Sequence, residues 1–236
     1  MIAIFVSDWG ELEASKNCLE LYHRGTREDL EFMRGKLHGK EVILGRTGIG
    51  INRARKGTNY IIQKFKPELI ISAGHGGALS PELRVGDIVV GDWVLSIKKE
   101  KRKMLNSDVP KAIGGFRRGG IVTESRFVYS SAEKKSLREQ SGALTVDMET
   151  WGVAEAVEDY GTPLFSLRSI SDESNFDLPN MGFLYNTNGR VNKKQAIKYL
   201  LSRPALIYPY VKFTYFNLKK SCHSLNIFLR EFLQHI

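Results

Sequence analysis

Residues Leu144 to Ala156 read "LTVDMETWGVAEA". An apolar, β-branched run closes on two carboxylates, Asp147 and Glu149, with Met148 between them, and a helix-like pattern then begins. A strand that hands over directly to a helix belongs to an α/β chain, so this junction bears on fold and site together. Acids at the start of a helix complement its dipole, and capping is one reading. The other is a site, because ligands of open α/β sheets bind outside the carboxyl ends of the strands.

Working outward, short apolar runs recur at 2–6, 41–45, 69–73, 87–91, 119–123, 143–147 and 164–168. Stretches with helical spacing separate several of them: "ELEASKNCLELYH" after the first, "NRARKGTNYIIQKF" after the second, "SAEKKSLREQ" after the fifth and "WGVAEAVEDYG" after the sixth. This alternation predicts a largely parallel or mixed sheet covered on both faces. The linker "GHGGALSPELRVG" is too short and turn-rich for a helix, so the third and fourth strands form an antiparallel or hooked pair. Residues 98–120, charged and then glycine-rich with no apolar period, read as a mobile surface loop.

The 236 residues suit one α/β domain with an appendage. The cysteines, Cys18 and Cys222, stand far apart and suggest neither a disulfide framework nor a zinc site. The N-terminus lacks the basic segment of a signal peptide, and no apolar stretch approaches the roughly 20 residues of a membrane span. A cytoplasmic protein is expected. The net charge of +9 is concentrated: from Arg190 to Ile236 there are nine Lys/Arg and one acid, Glu231. We therefore divide the chain into an α/β domain, 1–190, and a basic, aromatic, helical extension, 191–236. In its last helix Leu218, Cys222, Leu225, Leu229 and Phe232 form an amphipathic stripe.

The polar residues at strand ends are the site candidates. The first strand is followed by Glu11, the second ends in "GRTGIG" (45–50), the third in "AGHGG" (73–77), the sixth in "VDMET" (146–150) and the seventh in "RSISD" (168–172). Each has a plainer reading as turn, cap or core, and Phe127 alone reads as core; jointly they point to one composite pocket. "TGIGINRA" resembles the start of a dinucleotide fingerprint, but its third glycine and the acid about 20 residues beyond are missing.

These pieces, in this order, resemble the nucleoside phosphorylase superfamily, which includes methylthioadenosine/S-adenosylhomocysteine nucleosidases. The likeness runs from residue 2 to about 177 and is carried most specifically by "LRVGDIVV" (83–90) and "VDME…RSISD". It implies a three-layer α/β/α sandwich with a mixed, mostly parallel central sheet. The resemblance also implies roles: Asp172 as general acid toward the purine N7, Glu149 gripping the ribose hydroxyls beside Asp147 and Met148, and Phe127 stacking on the base. Gly74 and His75 join the substrate contacts, Glu11 orients an attacking water, and Arg46, Thr47, Gly48 and Gly50 serve phosphate or water. No metal or organic cofactor is implied, inorganic phosphate being the one candidate co-substrate, and the family analogy is a homodimer or larger homo-oligomer.

"DLPN" (177–180) and "LLSRPALIYPYVKF" (200–213) look like the hopanoid-associated branch, implied to remove adenine from adenosylhopane, a lipid-linked nucleoside. Two features depart from the family: "GHGGA" stands where "GSxGG" is usual, and 98–120 is short and basic. Glu11 favours hydrolysis and the branch favours phosphorolysis, so the nucleophile stays open. A noncatalytic binding protein is the rival class, against which Glu11, Glu149 and Asp172 together speak. For the basic tail we expect peripheral contact with an anionic membrane and no nucleic acid.

Overall fold

The computed structural model describes residues 1–180 and 193–236. The chain begins with β1 (Ile2–Val6), a 3-10 turn (Trp9–Leu12) and α1 (Glu13–Asn17), then a meander of β2 (Glu20–Arg27), β3 (Leu30–Leu37) and β4 (Lys40–Arg46). There follow α2 (Ile51–Phe65), β5 (Leu69–Ala78), β6 (Ile88–Ser96), β7 (Lys101–Met104), β8 (Phe116–Thr123), α3 (Ser131–Ser141), β9 (Thr145–Asp147), α4 (Thr150–Glu158) and β10 (Leu164–Asp172). The C-terminal part holds α5 (Lys193–Leu201), α6 (Ile207–Val211) and α7 (Leu218–His235), the last two joined through a π-helical stretch, Lys212–Asn217.

The strands form one mixed, ten-stranded sheet in the order β10-β6-β8-β9-β5-β1-β4-β3-β2, with β7 on β6 and a further β10–β5 pairing. Its central strands are apolar on both faces, as burial between two layers demands. In β1, Ile4 and Val6 join a core shared with α7, whereas Ala3 and Phe5 join another shared with α2 and α4. Helices thus cover both sides, giving the α/β sandwich that the alternation of elements implied.

Three local expectations change. The helix expected over residues 11–23 ends at Asn17, and Glu20 to Arg27 is an exposed strand paired with β3. The turn His38–Gly39, with φ of 49° and 78°, is a two-residue hairpin of the kind that matches strand twist. The third and fourth apolar runs, β5 and β6, do not pair; β10 lies between them, parallel to β5 and antiparallel to β6. Within 98–120, β7 pairs with β6, and Ile113 is buried in the core shared with α7. The lysines of β7 are edge-strand residues, a common device against unwanted pairing, which disguises the strand in sequence.

The division at residue 190/191 falls outside the described residues. Beyond it, Leu225, Phe228, Leu229, Phe232 and Leu233 of α7 are all buried. At about 1.5–3 kcal/mol per buried side chain, they contribute on the order of 10 kcal/mol, so α7 is part of the main core. Among the described residues no helix is long and apolar enough to cross a membrane.

Candidate active site

The carboxyl ends of β1, β5, β9 and β10 converge on one cavity of about 1640 Å³. Its wall includes Glu11, His75, Phe127, Met148, Glu149 and Asp172, together with Phe213 and Leu218 from the C-terminal helices. β1, β5 and β10 are parallel neighbours with their ends at the same edge of the sheet, which is why Glu11 and Asp172, separated by 160 residues of chain, meet here. The short β9 reaches it antiparallel to β5, Val146 opposite Gly77.

Glu11 sits in the 3-10 turn after β1 and is 6% exposed. Its Oε2 accepts hydrogen bonds from the amides of Ser7 (2.8 Å) and Asp8 (3.0 Å) and from Ser7 Oγ (2.9 Å). Its Oε1 accepts from the amide of His75 at 3.0 Å. The carboxylate therefore fills a cradle of backbone N–H groups of the kind that otherwise binds anions. Gly74 lies beneath it, where a Cβ would stand 2.9 Å from Oε1, so glycine there leaves room for the acid. Gly77 does the same for Asp172, with a Cβ position 3.2 Å from Oδ2.

The opening junction divides its labour. Asp147 Oδ2 accepts from the Thr150 amide (3.0 Å), at the start of α4, and from Arg168 Nε (2.8 Å), while Oδ1 accepts from Thr123 Oγ1 (2.6 Å). Arg168 is buried and also donates to Ser72 O, Ser72 Oγ and Thr150 Oγ1. Asp147 touches the cavity wall, but its oxygens are engaged within the protein: it caps α4 and neutralises a buried guanidinium. Glu149 makes no capping bond. Its Oε1 accepts from the Gly50 amide at 2.9 Å. Burial first, then the charges of Asp147 and Glu11, push this carboxyl up to about 8, against the pull of Arg168 and the Gly50 amide.

Gly50, at φ 106°, takes a conformation that favours glycine and so aims its N–H at Glu149. That amide is engaged. Thr47 Oγ1 donates to Val6 O or Gly48 O, and Arg46 is ion-paired with Glu31. None of Arg46, Thr47, Gly48 and Gly50 lines the cavity, although Ile49 does. Of this group, expected to serve phosphate or water, Gly50 holds Glu149 through its amide.

Asp172, 3% exposed, accepts from Ser171 Oγ at 2.6 Å. Lys134 of α3, fully buried, places Nζ 2.5 Å from Asp172 Oδ2, while its N–H groups are directed to Glu173 O (2.9 Å) and Phe176 O (3.0 Å). The contact with Asp172 is an ion pair rather than an aligned hydrogen bond. Lys134 was missed in the sequence because it sits in a charged helix, "SAEKKSLREQ", where nothing marks one lysine as inward. Arg168 carried a signal, a charge inside an all-buried strand, which requires partners.

His75 is tied to the C-terminal helix. Ser221 Oγ donates to Ser169 O (3.0 Å), so Nδ1 of His75, 2.7 Å from Ser221 Oγ, is the donor of that pair. Burial lowers the His75 pKa, against the raising effect of Glu11, and so favours the neutral ring. Asn226 of α7 donates from Nδ2 to Glu11 O (3.0 Å) and accepts at Oδ1 from Ser15 Oγ (2.7 Å). Phe213 meets Phe127 edge-on at 6.5 Å between ring centres. The C-terminal helices thus hold the Glu11 turn and wall the cavity.

Comparisons with known proteins give the chain's family. The model of the phosphorylase superfamily matches residues 1–113 and 114–200. The chain belongs to the phosphorylase superfamily. A 5'-methylthioadenosine/S-adenosylhomocysteine nucleosidase of Staphylococcus haemolyticus (strain JCSC1435) is 30% identical over 170 residues, covering 62% of this chain and 75% of the relative. Its counterpart in Staphylococcus aureus (strain MRSA252) is 25% identical over 227 residues, covering 86% of this chain and all of the relative. Among solved structures, the nucleosidase of Neisseria meningitidis in complex with methylthio-immucillin-A superposes with a TM-score of 0.77 at 20% identity, covering 100% of this chain and 99% of the other. Futalosine hydrolase of Helicobacter pylori gives 0.74 at 19%, covering 100% and 97%. These superpositions establish the superfamily's fold.

Proposed function

We propose that the protein hydrolyses the N-glycosidic bond of a purine nucleoside, with adenine as the base. The observation that carries this reading is the meeting of Glu11, Glu149 and Asp172, all at one cavity, with Phe127 and Met148 beside them. In this reading Phe127 stacks on the base and Glu149 accepts from the ribose hydroxyls, fixing the sugar so that the bond to be broken is oriented. Met148 packs on the sugar. Asp172 gives a proton to N7, so the base leaves neutral while the ribose gains oxocarbenium character.

Water is favoured over phosphate as the nucleophile by one feature. The amides of Ser7, Asp8 and His75, which would cradle a phosphate oxygen, already hold the Glu11 carboxylate. A fixed carboxylate in that place repels a second anion and accepts a proton from water. The cavity, larger than the roughly 300–1,000 Å³ usual for small ligands, leaves room for a large 5′ group. A lipid-linked nucleoside such as adenosylhopane is a substrate that would use that room. Incubating the protein with adenine nucleosides of increasing 5′ substituent, with and without inorganic phosphate, and assaying free adenine tests the reading. Adenine release without phosphate is the expected result; release only with phosphate would establish phosphorolysis instead.

A further inference from the structure

We propose that the outward face of residues 197–219 is a docking surface for an anionic lipid bilayer, placed beside the mouth of the acid-lined cavity. The proposal is independent of which bond the cavity cuts. Leu201, Tyr208, Tyr215 and Phe216 are between 69% and 74% exposed, and Ile197 is 60% exposed. Large apolar side chains exposed together mark an interaction site. Tyr208, Val211 and Tyr215 stand three and four residues apart on the helical run from Ile207, so they share one face. Ile197 and Leu201 are likewise one turn apart on α5.

The charge of this segment selects the partner. Within residues 197–219 the charged side chains are Lys198, Arg203, Lys212 and Lys219, all basic, with no Asp or Glu. Several bases lie against aromatic rings: Arg203 is 4.6 Å from the Tyr199 ring centre and Lys212 is 4.8 Å from that of Phe176. In both, the charged group itself sits over the ring face. A face with aromatic and aliphatic groups standing among bases matches the headgroup layer of an anionic membrane. A second copy of the chain fits poorly, since a two-fold interface would press this basic face against itself. Nucleic acid could stack on the tyrosines but offers nothing to Ile197, Leu201 and Val211. With no membrane-crossing helix among the described residues, the contact lies in the plane of the surface.

The location gives the contact a use. Phe213, Thr214, Leu218 and Lys219 of the same helical run line the cavity, while Tyr215 and Phe216 point to solvent. A docked molecule would therefore hold the cavity mouth against the headgroups, where a nucleoside on a lipid anchor could enter base first.

The full chain is sedimented with vesicles of mixed phosphatidylglycerol and phosphatidylcholine, and with vesicles of phosphatidylcholine alone. A triple variant, Tyr208→Ser, Tyr215→Ser and Phe216→Ser, is compared with the natural chain; all three side chains are exposed and lie off the cavity. The expected result is binding to the mixed vesicles that weakens about tenfold or more on pure phosphatidylcholine and again in the variant, with unfolding temperature unchanged. Failure to bind mixed vesicles, or equal binding by the variant, would overturn the proposal. So would sedimentation equilibrium showing that the natural chain self-associates through these residues, or tighter binding to a single-stranded oligonucleotide that the variant loses. None of these readouts depends on nucleoside cleavage, so either reading can fail while the other stands.

Discussion

Replacing Glu149 by glutamine keeps the acceptor for the Gly50 amide and removes the ionisation. In the native protein the Glu149 carboxyl titrates at about 8 rather than 4.5, chiefly through burial. Between those values the folded chain holds a proton that the unfolded chain has released, so stability falls as pH rises and levels off above 8. At about 1.4 kcal/mol per pH unit, the whole interval is worth on the order of 3–5 kcal/mol. Glutamine has no such dependence. Chemical denaturation of both chains from pH 5 to 9 should therefore give a difference that moves steadily in the variant's favour up to pH 8 and is flat beyond. His75, whose lowered pKa makes stability rise with pH below its ordinary value, is present in both chains and cancels. A difference constant to within about 0.5 kcal/mol, a third of one pH unit's effect, would refute the buried-carboxyl reasoning.

Other outcomes follow from the same geometry. Asp172→Asn should lower adenine release about 10²–10⁴-fold, the range of general acid catalysis; unimpaired turnover in that assay would remove Asp172 from its role. Lys134→Met leaves a buried carboxylate without its counter-charge and two carbonyls without a donor, and should cost about 3–5 kcal/mol in denaturation. Combining it with Asp172→Asn should recover part of that loss. At Gly152 an added Cβ would stand 2.1 Å from Ile51 O, so Gly152→Ala must separate α4 from α2. It should destabilise by about 1–3 kcal/mol and raise KM, because the same contact brings the Gly50 amide to Glu149.

How much of the site was legible depended on chain distance. Glu11, Glu149 and Asp172 each stand at or just after a strand end, a position that local pattern reveals. Asp147 and Glu149, two residues apart at one junction, looked equivalent, and only the surroundings separate them. Arg168 lies close enough to occupy Asp147, while Glu149 faces the cavity. Lys134, Ser221 and Asn226 were invisible because their partners lie 38, 146 and 215 residues away. The β2–β3 hairpin was hidden for a different reason. Its strand Glu20–Arg27 is exposed on nearly every residue, and without a buried face there is no alternation to read.

The sequence by itself determined the alternation of buried strands and amphipathic helices, and hence an α/β sheet covered on both sides, since period and apolar content are local properties. It also determined which acids end strands. Tertiary structure alone decided that α7 completes the core and steadies Glu11, that the amides of an anion cradle hold a carboxylate of the protein itself, and which apolar side chains remain outside. Those outcomes depend on which distant surfaces come within a few ångströms of one another, and burial, hydrogen bonding and charge all act at that range.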